Sequence, residues 1–294
     1  MMETLIATLV SGLLLGALYA LMASGLSLVW TTLGVFNFAQ GAMVLFAALT
    51  LVGFMNMGVP VPLAIMITIA VMVALAYAVE RAVLRPLVNQ PPIILFMATI
   101  GVTFFIDGFG QTLWGSDVHT LDIGIPSKPL FFGDILVNSF DLVAAVVAGA
   151  LVAVLAVFFQ KTRIGRALRA VADDHQAAMS VGIPLRVIWV IVWSVAGLVA
   201  LVAGIMWGSK LGVQFSLVLI ALKALPVLIL GGFTSIPGAI IGGLIIGAGE
   251  KLAEVFIGPF LAGAIEDWFA YMLAMLVLLF RPQGLFGEKI IERV

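Results

Sequence analysis

The chain has 294 residues, of which 63% are apolar and only 10% charged, with a mean hydropathy of +1.26. Soluble domains carry about 25% charged residues, so a water-facing globule of this composition is excluded. The net charge of −1 leaves no electrostatic footprint for nucleic acid, and the lack of cysteine excludes disulfides, thiolate metal sites and cysteine nucleophiles.

From the N-terminus, MMETLIATLVSGLLLGALYAL has no basic leader region and is longer than a signal peptide, so it reads as a retained first span. No charged residue occurs from residue 4 to residue 79. One crossing of the hydrocarbon takes about 20 helical residues, so this stretch alone holds roughly three. Further uncharged runs extend the series. The expected spans are 5–30, 34–55, 61–79, 88–113, 139–159, 187–208, 213–232, 236–256 and 262–280. Breaks are expected at Gly34–Asn37, Pro60/Pro62, Pro91–Pro92 and Gly231–Gly238. Lys223 interrupts an apolar run, so one neighbouring segment is a candidate half-span or re-entrant piece. A barrel would alternate apolar and polar residues, and runs such as Ile65–Val79 do not. The expected fold is all-α: a polytopic transmembrane bundle of about eight or nine spans, with interrupted segments and a weak internal repeat.

Basic residues set the orientation. Arg81 and Arg85, the five basic residues of 161–186, and Arg281, Lys289 and Arg293 mark the cytoplasmic side. The loop 114–138 carries Asp117, Asp122 and Asp134 against Lys128 and faces outward, as does the N-terminus. Trp114 reads as an interfacial anchor, and Asp107, seven residues earlier, as an interfacial carboxylate. Glu80 beside Arg81 reads as a membrane-edge pair. Glu250, Lys251 and Glu254 read as the outer end of a span.

Two segments stand out. LGVFNFAQGA (Leu33–Ala42) and LGGFTSIPGA (Leu230–Ala239) share L-G-x-F-x-x-x-x-G-A. Repeated, Gly-interrupted segments in two halves point to a transport pathway. The helix-break residues are Gly34, Gly41, Gly231, Gly232, Pro237 and Gly238. The rare polar groups beside them, Asn37, Gln40, Thr234 and Ser235, are candidate path residues, with Thr31 and Thr32 behind them. Two plainer readings stand beside this one: small residues that let helices pack closely, and polar side chains that satisfy freed backbone groups.

The other segment is KTRIGRALRAVADDHQAAMSVGIPLR (161–186), which concentrates charge in an otherwise apolar chain. Arg166–Val181 is expected to form one short helix, stopped by Gly182 and followed by Pro184. Leu168, Val171, His175, Ala178 and Met179 would share one side, with Arg166, Arg169, Asp173 and Asp174 around the rest. Such a helix could dock in a soluble partner's groove, or serve only to orient the loop. No catalytic constellation emerges. His119 and His175 fall in opposite-facing loops, and H-E-x-x-H, G-x-S-x-G and the phosphate-binding G-x-x-x-x-G-K-[ST] are absent.

QAAMSVG (Gln176–Gly182) resembles the E-A-A-x-x-x-G loop of ABC importer permeases, with Gln176 in place of the usual Glu. TRIGRALRAVADD is similar to the stretch that introduces this loop in branched-chain amino acid (LivH/LivM-type) permeases. GLSLVWTTLGVFNFAQGA, ALKALPVLILGGFTSIPGAIIGGLIIG and LLFRPQGLFGEK resemble their N- and C-terminal signatures, closer to LivH than to LivM. The resemblance implies a single permease domain over 1–294, with a cytoplasmic coupling loop 161–187 and a periplasmic loop 114–138. It implies a non-enzymatic inner-membrane subunit that binds no cofactor of its own. The implied partners are a second, LivM-type permease, two cytoplasmic ATPase subunits carrying ATP and Mg, and a periplasmic binding protein; on topology alone, residues near Trp114–Leu130 should meet that binding protein. Arg166, Arg169, Asp173, Asp174, Gln176, Ala177, Ala178 and Gly182 would form the ATPase-coupling helix. Gln176 removes one charge-assisted contact. The implied cargo is a branched-chain or other apolar amino acid. The alternatives are the same permease role with urea, an aromatic or dicarboxylic acid or a sugar, or an ion-coupled secondary carrier.

Overall fold

The computed structural model describes residues 2–87, 90–132, 135–261 and 263–287, apart from the side chains of Phe132, His175 and Asp267. Asp134, Lys289 and Arg293, used above for orientation, and the end of the LLFRPQGLFGEK signature lie outside the described residues, as does the His175 side chain. Eleven α-helices are described: α1 (Met2–Leu33), α2 (Gln40–Asn56), α3 (Val61–Val79), α4 (Pro92–Trp114), α5 (Ser139–Lys161), α6 (Arg163–Asp173), α7 (His175–Ser180), α8 (Leu185–Leu211), α9 (Ser216–Gly231), α10 (Ile236–Phe256) and α11 (Glu266–Phe280). Each expected span corresponds to one of them.

The proline pairs fall where the backbone tolerates them. Pro60 precedes α3, with Pro62 in its first turn, and Pro91 precedes α4, which Pro92 opens. Early in a helix the missing N–H has no intrahelical partner to lose. That is why α4 begins at Pro92 rather than at residue 88.

One expectation is corrected and one is met in part. The chain is not purely helical: an antiparallel hairpin, β1 (Pro129–Phe132) with β2 (Ile135–Asn138), pairs Leu130 with Val137 and Phe131 with Leu136 in the loop between α4 and α5. Asn138 ties it to α5 by accepting the Phe140 N–H at 2.9 Å, and Ser139 Oγ donates to the Pro126 carbonyl at 2.6 Å. The span count is met in part: among the described residues five helices are long and apolar enough, by length and composition, to cross a membrane, or six if the bent pair α9–α10 counts as one span. The rest of the expected eight or nine falls on shorter helices, α2 with 17 residues and α11 with 15.

The chain divides into two compact units. One comprises Leu28–Ile123 and Leu155–Ala221. Its centre is α2, buried from Gln40 to Gly53 and packed by α3, α4 and α8. A helix buried on every side must be apolar all round, and QGAMVLFAALTLVG is, apart from the buried Gln40 and Thr50. By contrast α3 and α4 expose Met66, Val73, Met97, Phe104 and Phe105 on their outer faces, the surface expected of helices that meet lipid. Trp114 is not a free anchor: its ring packs on Gly53 and stands edge-on to Phe54, with centroids 5.4 Å apart.

The other unit comprises Met1–Ser27, Gly124–Val154 and Leu222–Val294. Here α1 and α10 meet through matched small-residue steps. A Cβ at Gly16 would lie 2.6 Å from the Gly243 carbonyl oxygen, and one at Gly12 would lie 2.7 Å from the Gly247 carbonyl oxygen. Glycines four apart on both helices let the backbones touch, the geometry that drives helix association where lipid offers no hydrophobic contrast. Gly243→Leu should therefore lower stability by at least about 3 kcal/mol, since backbone cannot yield to the added side chain. Gly149→Ala, at a position facing open space, should leave the thermal midpoint of the detergent-purified protein unchanged. Equal midpoints for the two variants would refute the contact.

Candidate functional site

The charged segment folds as two helices, not one. α6 starts at Thr162, whose hydroxyl accepts the Gly165 N–H at 2.9 Å. It ends at Asp173, and the chain straightens through Asp174, whose φ is −158°. Asp174 then caps α7 by accepting the Gln176 and Ala177 N–H groups at 2.8 and 3.0 Å. An aspartate at an N-cap takes up orphan donors and faces the positive end of the helix. The paired carboxylates Asp173–Asp174 are thus a helix boundary, which the Ala-rich composition concealed. The stop at Gly182 is as expected: its φ of +87° is a left-handed turn that favours glycine.

Leu168, Val171 and Ala178 anchor the segment; Leu168 and Val171 are inaccessible and Ala178 is 2% exposed. Met179, expected on that anchored side, is exposed instead, because the break at Asp174 turns α7 relative to α6. Gln176 and Ala177 are exposed, and Val181 is 75% exposed. Arg166 and Arg169 are also exposed, and Arg169 donates to the Gln160 carbonyl at 3.3 Å. The result is a small, capped, solvent-facing tip that carries apolar side chains.

Both halves of the internal echo are helix breaks, and their solutions correspond. At the first, α1 ends at Leu33 and Gly34 turns with φ +66°. Asn37 Oδ1 accepts the Ala39 N–H at 3.1 Å, while its amide donates to Gln40 Oε1 at 3.3 Å. Gln40 in turn donates to the Ala196 carbonyl of α8 at 3.1 Å. At the second, α9 runs one residue further, through Gly231, and the left-handed turn falls on Gly232 with φ +102°. Ser235 then caps α10 by accepting the Gly238 N–H at 3.0 Å. The axes of α9 and α10 differ by 113°.

The carbonyls at equivalent echo positions are each met by a hydroxyl from another helix. The Thr99 hydroxyl stands 3.3 Å from the Phe36 carbonyl and shares its proton with the Phe96 carbonyl of its own helix at 2.9 Å, and Ser27 donates to Phe233 at 2.8 Å. Gly41 in α2 approaches the Val218 carbonyl, and its equivalent Gly238 approaches Gly231, each too closely to admit a Cβ. Pro237 sits in the first turn of α10. Asn37 and Gln40 are buried and committed to these bonds, Ser235 is half-buried in its cap, and Thr234 is exposed. Thr32 is buried, with its hydroxyl on the Leu28 carbonyl.

The comparisons with known proteins fit this geometry. The family described as branched-chain amino acid transport system/permease component matches residues 8–281. The chain belongs to that family. It is 31% identical to the high-affinity branched-chain amino acid transport system permease protein BraD of Pseudomonas aeruginosa, over 97% of both chains. It is 30% identical to the LivH permease protein of Escherichia coli K12, over 97% of this chain and 96% of the relative. A more distant relative, the autoinducer 2 import system permease protein LsrC of Escherichia coli O9:H4, is 27% identical over 88% of this chain and 73% of its own. The chain is therefore a multi-pass permease component.

Sequence reasoning missed one cluster in this permease. Glu250, expected at the outer end of a span, is fully inaccessible. Tyr19 donates to its Oε2 at 2.9 Å, and Lys223 Nζ stands 3.7 Å from its Oε1. Lys223 also donates to the Glu266 carbonyl at 3.0 Å, and Lys251 pairs with the Glu266 carboxylate at 2.6 Å. Glu254 accepts the Ile265 and Glu266 N–H groups at 2.8 and 3.2 Å, closing the start of α11. A buried charge persists only when paired and hydrogen-bonded, and this network ties α1, α9, α10 and α11 together. Lys223 in one apolar run and Glu250, Lys251 and Glu254 near the end of another were visible in the sequence, but not their meeting.

Asp174→Ala should remove about 1 kcal/mol of helix stability, which corresponds to about fivefold faster hydrogen exchange at the Gln176 and Ala177 amides. Exchange unchanged at both would show that the cap does not hold α7.

Proposed function

We propose that this permease is one of two membrane subunits of a bacterial inner-membrane ABC importer for branched-chain or other apolar amino acids. Both compact units together form one permease domain over 1–294. A second homologous permease completes the translocation path. Two cytoplasmic ATPase subunits, which carry the ATP and Mg, dock on α6–α7, and a periplasmic binding protein delivers cargo to the outer loop. The chain itself hydrolyses nothing and holds no cofactor. The observation that carries this reading is the capped tip Asp174–Gly182. Its exposed Ala177, Met179 and Val181 suit insertion in a groove, while Leu168, Val171 and Ala178 root it in the chain that it must move.

Nine chain passages, α1–α5 and α8–α11, make the side assignments agree. The turn beginning at Gly212 lies with the acidic loop, since His119 and Val213 bridge as paired backbone. The break 232–235 lies with the basic C-terminal segment, since the Leu285 and Phe286 N–H groups bond to the Leu230 and Gly231 carbonyls. Both echo breaks and the docking tip then share the inner side. Asn37, Gln40 and Ser235 hold the breaks at the inner end of the path, where Thr234 is exposed. In the outer loop, Phe131 at 71% exposure and its cross-strand partner Leu136 offer an apolar contact to the binding protein. A second reading, the same role with another cargo, is favoured by the relative named as an autoinducer 2 import permease.

Reconstituted with a second permease, both ATPases and the binding protein, the chain should take up leucine only with ATP inside the ATPase compartment. Ala177→Glu places an unpaired carboxylate in the docked groove. It should lower ATP-driven uptake at least about tenfold, while ATP hydrolysis continues and the fold survives. Uptake by this chain alone, driven by an ion gradient, would overturn the reading.

A further inference from the structure

One cavity of about 620 Å³ lies apart from the helix breaks, between the end of α3 and the link from α7 to α8. Its floor is a π-helical turn, Glu80–Leu84, in which the Arg85 N–H reaches back to the Glu80 carbonyl. Such wide turns are uncommon and recur at functional sites. Glu80 lines the cavity, is 3% exposed, and has a buried Oε1 with no hydrogen-bond partner among the described residues. It is not the membrane-edge pair with Arg81 that the sequence implied: Arg81 is exposed, and no ion pair of Glu80 occurs among the described residues.

The rest of the lining is complementary. Arg85 and Arg186 line the same cavity, so guanidinium groups stand within reach of it. Trp189 is buried, and its indole N–H has no partner among the described residues. Ile183 and Leu185 supply apolar wall. A buried carboxylate oxygen without a donor, and a buried indole N–H without an acceptor, each carry a desolvation cost until a ligand meets them. An anion alone would leave the Glu80 oxygen unmet and set like charges together. A cation alone would leave the guanidinium groups unmet. A molecule with an ammonium and a carboxylate on one carbon, and an aliphatic side chain, answers all three features.

We propose that this cavity is a binding site for a free apolar amino acid, distinct from the translocation path. The ammonium meets Glu80, the carboxylate meets Arg85, Arg186 and the Trp189 N–H, and the side chain meets Ile183 and Leu185. The proposal rests on the permease reading for its ligand class and for its inward orientation. Since the cavity includes Gly182 and Pro184, its occupant joins the end of α3 to the root of the docking tip. Imported product accumulating inside thereby acts on the segment that couples transport to ATP. A phosphatidylethanolamine headgroup carries the same pair of charges, so the test must separate lipid from free amino acid.

The test is equilibrium binding of radiolabelled L-leucine to the assembled importer in phosphatidylglycerol nanodiscs, without binding protein or nucleotide. Saturable binding is expected, weakened at least about tenfold by Glu80→Gln, which keeps shape and removes the charge that holds the ammonium. Leucinamide and 4-methylpentanoate, each lacking one charge, should compete poorly. Binding that is absent, or equally strong in Glu80→Gln, would overturn the site. So would efficient competition by either single-charge analogue, or displacement of leucine when phosphatidylethanolamine is added. ATP-driven uptake is scored separately. Uptake without Glu80-dependent binding removes this site and spares the permease reading; Glu80-dependent binding without uptake does the reverse.

Discussion

Hydrocarbon supplies no hydrogen bonds, so wherever a helix of this chain stops, the chain itself must meet the freed backbone groups. The two echo breaks show how. Thr99 and Ser27 reach across to the Phe36 and Phe233 carbonyls, Asn37 and Ser235 take up N–H groups, and the strand after α11 covers the last carbonyls of α9. The polar residues that stand out in an apolar sequence are, at these places, the means by which interruption is tolerated at all. A break held by a handful of side-chain bonds is also a place where a helix pair can change angle without exposing bare backbone.

The same constraint explains where charge is allowed. Glu250 and Lys223 sit inside apolar helices, where Tyr19 donates to Glu250 Oε2, Lys223 Nζ stands 3.7 Å from Glu250 Oε1, and the Glu266 carbonyl accepts from Lys223. The basic residues collect in segments that end helices, where water or a soluble partner can reach them. The exposed tip Asp174–Gly182 follows from both rules: it is polar enough to meet water, capped at Asp174, and rooted through Leu168, Val171 and Ala178.

Much of this was legible in the sequence. Hydropathy located every long helix, and prolines and glycines marked the breaks, because those signals are local. The echo L-G-x-F proved to mark equivalent breaks, offset by one residue where Gly232 rather than Gly231 takes the left-handed turn. What escaped was non-local or disguised. The Asp174 cap hid in a run of good helix formers. The hairpin in the outer loop rests on short strands with no periodic signal, and the meeting of Tyr19, Lys223 and Glu250 joins residues from distant runs. Glu80 looked like a surface charge because it adjoins Arg81, whereas the wide turn at the end of α3 carries it inside.

The central claim is that the tip beyond Asp174 faces the cytoplasm and touches an ATPase subunit. The chain has no cysteine, so Ala177→Cys introduces a single reactive thiol for a membrane-impermeant maleimide. In intact cells the thiol should stay unlabelled. In inverted membrane vesicles it should label only after the ATPase subunits are stripped away. Labelling from outside intact cells, or labelling of inverted vesicles that is unaffected by the ATPases, would contradict the account.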